Sequence, residues 1–136
     1  MPNRWLLKTE PTTYSFDDLT RDRRTTWDGV RNALAQQHLR AMRSGDEVLV
    51  YHSGKDKAVI GRARVSRSPF PDPGAGDPKL VAIGLTAGRR LACPVTLTAI
   101  KADPAFQAFP LVRLSRLSVM PVSAAEWTRL LALGAG

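Results

Sequence analysis

Six consecutive residues, Trp27-Asp28-Gly29-Val30-Arg31-Asn32, combine an aromatic ring, a carboxylate, a glycine, a guanidinium and an amide. Neither the helical nor the strand hydrophobic period accounts for that order. A mixture of this kind beside a glycine has the chemistry of a binding loop. It offers a plane to stack on, donors and acceptors to read an edge, and charge. A nucleobase is the flat, polar object that suits it. A pocket for a base needs a stacking surface, edge-reading groups and cations for the backbone phosphates.

Each residue has a functional and a structural role open to it. Trp27 can supply the stacking plane or pack into the core, where Trp is usually well buried. Asn32 can present an amide donor and acceptor to a base edge, or cap a following helix. The cap uses the side-chain oxygen alone, so the two roles are compatible. Arg31 can contact phosphate or pair with a carboxylate, Asp28 being the nearest. Gly29 allows close backbone approach or a positive-φ turn.

Lys8, Thr9 and Glu10 close an earlier strand. Alternation puts Lys8 and Glu10 on one face and Thr9 on the other, unless Pro11 breaks the pattern. A carboxylate such as Glu10 accepts from an exocyclic amine, which suits cytosine or adenine; its alternative is an ion pair with Lys8. Tyr51 and Ser53 share a strand face, with His52 opposite. Tyr51 can stack and Ser53 can donate. His52 is either a ligand group or a satisfied structural residue. Arg62 and Arg64 share an outer strand face, as a phosphate-binding patch or a solvated edge.

The charge balance supports a polyanionic partner. The chain of 136 residues carries net charge +8 and an isoelectric point near 10.6. The excess is spread out: 13 Lys and Arg against 8 Asp and Glu in residues 1–68, and 7 against 4 in residues 69–136. A basic globule favours polyanions, nucleic acid first, over a neutral domain with a basic tail. Solubility alone is the competing explanation. The single cysteine, Cys93, excludes an internal disulfide, and His38, His52 and Cys93 lie far apart, so no metal site is expected. No signal peptide and no membrane span are expected, which predicts a cytoplasmic protein without cofactor or metal.

The elements that must position these residues follow from the pattern. Residues 1–136 read as a single domain. Arg4–Glu10 is a strand stopped by Pro11. Ser15 caps a short helix to about Asp22, and Asn32 caps a second, with Leu34, Leu39 and Met42 inward and Gly45 ending it. Strands are expected at 47–53, 58–68 and 80–87, the first two as a hairpin. Residues 69–79 form a Pro- and Gly-rich loop. A further strand or short helix lies in 91–102, and a last short strand in 117–122. Ser123 and Glu126 make a capping box for a terminal helix with Trp127, Leu130 and Leu131 on its apolar face. Non-local strands with short helices between them predict an α+β domain on a strongly curved, mostly antiparallel sheet, as in a small open barrel.

Five segments carry a family resemblance: Trp5-Leu-Leu-Lys-Thr-Glu-Pro11, Trp27-Asp-Gly-Val-Arg-Asn32, Tyr51-His-Ser53, Pro71-Asp-Pro73, and Arg116-Leu-Ser-Val119 before Pro121-Val122. In this order and spacing they resemble the EVE domain family of the PUA-like superfamily, which also holds PUA, ASCH and YTH domains. The resemblance covers essentially the whole chain. It implies a PUA-like β-barrel with flanking helices and recognition of a modified base: a modified cytosine in DNA, or a modified RNA base. It further implies that Val30, Arg116 and Ser118 border the ligand along with the residues above. Thr9 stands where Ser is common, which keeps the hydroxyl. The Leu80 strand lacks an aromatic that relatives often place there.

No local motif marks a nucleophile with its base, paired carboxylates, or a phosphate-cradling or dinucleotide glycine pattern. The expected function is therefore non-catalytic binding of a modified nucleobase in nucleic acid. The alternatives are a small-molecule-binding or protein-interaction module, or a hydrolase of the ASCH kind.

Overall fold

The computed structural model describes residues 3–135. Six strands form one sheet: β1 (Arg4–Thr9), β2 (Arg24–Trp27), β3 (Glu47–His52), β4 (Ala58–Pro71), β5 (Val81–Thr96) and β6 (Val119–Pro121). Their order across the sheet is β2-β5-β4-β3-β1-β6. β1 runs parallel to β3, and every other pairing is antiparallel. The helices are α1 (Phe16–Asp22), α2 (Ala33–Ala41), α3 (Leu97–Ala102), α4 (Pro110–Arg113) and α5 (Ala124–Gly134), with a 3-10 turn at Pro104–Phe106. Among the described residues no helix is long and apolar enough to cross a membrane.

This is the expected α+β architecture, with β2 and β6 as open edges. β1 and β3 lie inside the sheet and bury both faces, so Trp5, Leu6 and Leu7 are all covered, as are Val48 to His52. β4 and β5 are long, 14 and 16 residues, and their pairing shifts register four times between Val59 and Phe70. Bulges bend a strand and increase its twist, so these two strands carry the curvature. Gly61 allows the closest approach: Phe16 of α1 lies against its backbone, where a Cβ would overlap the ring.

The helix caps follow the sequence. Ser15 with Asp18 and Ser123 with Glu126 form capping boxes, and Asn32 accepts from the Ala35 amide. Several expectations change: β4 runs on to Pro71, into the expected loop, and β5 runs past residue 87 to Thr96. Leu34 is 39% exposed, and α2 instead buries Ala35, Gln36 and Leu39 with Met42 as its C-cap. Gly45 sits at φ +97 in the turn beyond the helix rather than at its end. Residues 91–102 hold both options, the end of β5 and then α3. β2 was not expected at all, because Arg-Thr-Thr-Trp shows no apolar alternation.

Gly61→Ala should destabilise the fold by roughly 1–3 kcal/mol, because the added methyl overpacks against Phe16. Urea unfolding checks this. An unchanged midpoint would mean that Phe16 is free to move away.

Candidate functional site

A cavity of about 700 Å³ opens where the end of β1 meets β2 and the loop after it. Lys8, Thr9 and Glu10 form one side, Thr25 to Arg31 the other, and Thr13, Tyr14 and Ser118 complete the wall. Lys8 and Thr9 at the end of β1 and Glu10 just beyond it all reach it.

Two aromatic rings set its shape. Trp27 and Tyr14 have centroids 6.3 Å apart and planes at 84°. A perpendicular pair forms a corner, where a flat ligand can stack on one ring and meet the other with its edge. The Tyr14 hydroxyl donates to Asp22 Oδ2 at 2.8 Å, and its carbonyl accepts from Thr9 Oγ1 at 2.6 Å. Burial, and then the Asp22 carboxylate, hold the phenol above its ordinary pKa, with the Thr25 hydroxyl opposing.

The hexapeptide backbone is fixed from behind. Gly29 adopts φ +74, and its amide donates to Asp72 Oδ2 at 2.9 Å. Asp72 is buried, and its other oxygen accepts from the Gly74 amide at 2.9 Å. One residue on, the Val30 carbonyl accepts from Gln36 Nε2 at 2.6 Å. The same buried amide pairs with both backbone groups of Val81, at 3.1 and 2.9 Å. Asn32 Oδ1 then accepts from the Ala35 amide at 3.0 Å. Asp72 and Gln36 thus hold the loop while its side chains border the opening.

The proposed ligand residues divide. Lys8, Thr9, Glu10, Trp27, Val30, Arg31 and Ser118 line the cavity. Lys8 does not pair with Glu10; its ammonium donates to the Ser115 carbonyl at 2.8 Å. Glu10 accepts from the Thr12 amide at 3.3 Å and the Thr12 hydroxyl at 3.2 Å. No ion pair joins Asp28 to Arg31 among the described residues.

The others lie elsewhere. Tyr51 is buried under Lys8, whose Nζ stands 5.7 Å from the ring centroid, and with Ser53 it lines a separate cavity. His52 is enclosed: Nε2 accepts from the Phe16 amide at 2.9 Å, so Nδ1 carries the proton toward Asp56 Oδ2, also 2.9 Å away. That bonding occupies both ring nitrogens and ties α1 to β3. Asn32 and Arg116 border a neighbouring cavity of about 330 Å³ with Leu34 and Leu114.

Arg62 and Arg64 do not line this cavity; they border another hollow with Glu47, Thr86 and Arg89. Cross-strand pairing aligns Arg24, Thr86, Arg64, Glu47 and Arg4 in one row there. Arg62 is further engaged with Glu47 at 3.0 Å and with the Trp127 ring at 5.8 Å.

Tyr14 is the aromatic that sequence reasoning missed, along with Thr13, Thr25 and Thr26 of the same lining. It sits in the Thr-Thr-Tyr-Ser segment after Pro11, an aromatic outside any periodic stretch, which is the signal that singled out Trp27. Among the described residues no group of three His, Cys, Asp or Glu side chains could hold a metal ion.

This fold and pocket define a small PUA-like domain, and comparison with known proteins places it further. The EVE domain model matches residues 3–133, and the chain belongs to that family. Thymocyte nuclear protein 1 of Homo sapiens is 36% identical over 84 residues, 53% of this chain and 37% of that protein. The match thus spans little more than a third of that relative. An NMR structure of a Rhodopseudomonas palustris protein is 40% identical with TM-score 0.92, covering 97% of this chain and 92% of that one. The human THYN1 protein, solved in complex with 5-methylcytosine-containing DNA, is 26% identical with TM-score 0.91, covering 98% of each chain.

Asp72→Ala should leave the Gly29 and Gly74 amides without their acceptor, at a cost of roughly 1–3 kcal/mol. Amide hydrogen exchange reads it directly: both amides should lose protection ahead of the core strands. Unaltered protection at Gly29 would remove Asp72 as the anchor of the loop.

Proposed function

We propose that this chain is a non-catalytic nucleic-acid-binding module that holds a modified nucleobase, a modified cytosine in DNA or a modified base in RNA, in the cavity beside Trp27. The observation that carries the reading is the perpendicular Trp27–Tyr14 corner in the same cavity that Glu10 lines. A base stacked on one ring would meet the other with its edge, and Glu10 would accept from an exocyclic amine such as cytosine N4. Val30 and the threonine methyls that line the cavity suit an added methyl group. The net charge of +8 suits the phosphates. Support also comes from the 5-methylcytosine DNA complex of the human THYN1 protein.

One hydroxyl of the cavity favours binding over catalysis. Thr9 Oγ1 donates to the Tyr14 carbonyl, so its proton is spent on a backbone acceptor and not on a general base that would activate it. Ser53 Oγ, outside this cavity, stands between the Thr9 carbonyl at 3.3 Å and Glu10 Oε2 at 3.5 Å.

The test is affinity for matched oligonucleotides with 5-methylcytosine or cytosine at one position. Trp27→Ala should cost roughly 1–3 kcal/mol for the modified strand, while Trp27→Phe retains most of the binding. Equal affinity for both strands, unmoved by Trp27→Ala, would refute the pocket.

A further inference from the structure

On the far side of Lys8 lies a second cavity of about 320 Å³. Lys8, Lys57 and Lys101 all line it, together with Tyr51, Ser53 and Ser115, and no carboxylate does. Glu10 stands behind Ser53, its Oε2 3.5 Å from that hydroxyl, and one carboxylate set back from three cations leaves an excess of positive charge that an anion would offset. The ion pairs among the described residues all use arginine or histidine as the cation; none uses a lysine. The arginine surface around Arg62 differs in this respect, because Glu47 is already its counter-charge.

The hollow is built by the fold. Lys8 Nζ donates to the Ser115 carbonyl, which uses one of its three protons and leaves two free. Partial burial strips water from this ammonium and pulls its pKa down. Lys57 sits at φ 43, a conformation uncommon for a residue with a side chain. Its carbonyl accepts from the Leu97 amide at 2.7 Å. That bond joins the β3–β4 turn to the start of α3, the helix that carries Lys101. Lys8 also lines the larger cavity, so the two hollows share this residue.

We propose that this lysine cavity is a phosphate subsite. It takes a backbone phosphodiester of the same strand whose modified base occupies the larger cavity, with Lys8 between the two. The inference rests on the base-binding reading above. A phosphate here fixes the register of the strand and carries no base information. It also returns a counter-charge to a partly desolvated ammonium, where the attraction is less screened than in bulk water.

The experiment uses Lys57→Gln/Lys101→Gln, both positions being exposed, with oligonucleotides carrying one 5-methylcytosine or cytosine. The variant should bind both strands more weakly by the same factor and keep the preference for the modified one. Its plot of log affinity against log salt should be shallower by about 1. A neutral methylphosphonate beside the modified base should weaken the wild type and leave the variant unaffected. An unchanged salt slope, or equal sensitivity of both proteins to the methylphosphonate, overturns the subsite even where the base preference stands. Loss of slope in a protein that shows no base preference overturns the pairing of phosphate with base, and with it the base-binding reading.

Discussion

The bend of the sheet is the constraint on which the site depends. β1 and β2 are four strands apart in the order β2-β5-β4-β3-β1. On a flat sheet that is on the order of 19 Å between them. Yet Lys8 to Glu10 at the end of β1 and Thr25 to Trp27 of β2 line one cavity. Only strong curvature brings them together. The register shifts in β4 and β5 supply it, and Gly61 lets Phe16 of α1 press into the bend. The barrel implied by the family resemblance is here an open sheet rolled far enough for its two ends to share a pocket.

Curvature alone does not present a binding loop. The backbone of Trp27 to Asn32 belongs to no ladder after Trp27, so its amides and carbonyls need partners elsewhere. Asp72 and Gln36 provide them from the Pro-rich loop and from α2. A loop held by side chains rather than by a neighbouring strand leaves its own side chains free. That freedom is what a recognition surface requires of a segment that is nonetheless ordered.

What was legible in the sequence was local. Ser15, Asn32, and Ser123 with Glu126 are caps whose chemistry needs three or four neighbouring residues, and each formed as expected. The central strands were legible because burial on both faces leaves continuous apolar runs. The alternation of Tyr51 and Ser53 against His52 was also correct. Which face pointed to the pocket was not legible, because it depends on how the sheet rolls. Tyr51 therefore lies beneath Lys8 instead of beside Trp27, Arg62 meets Glu47 and the Trp127 ring of α5, and Arg64 pairs across the ladder with Glu47. Tyr14 and β2 were hidden for the same reason. Tyr14 reaches Trp27 through a turn and a helix, and Arg-Thr-Thr-Trp becomes a strand because β5 is long enough to pair with it. Leu80 does not line the pocket, whose second aromatic comes from residue 14.

The polar residues divide by burial into two kinds of work. Gln36, Asp46, His52 and Asp72 are the buried polar side chains of the described residues, and each ties separate segments together. Asp46 accepts from the Asn3 amide, the Trp5 indole and the Arg43 amide; His52 accepts from Phe16. Burying such groups costs free energy unless they are bonded, so their hydrogen-bonding capacity is committed to the fold. Lys8, Glu10 and Arg31 are accessible and retain spare capacity. The groups free to meet a ligand are therefore those that the fold did not need. They gather where the rolled sheet brings the ends of β1 and β2 together, beside a loop whose backbone the buried groups have already satisfied.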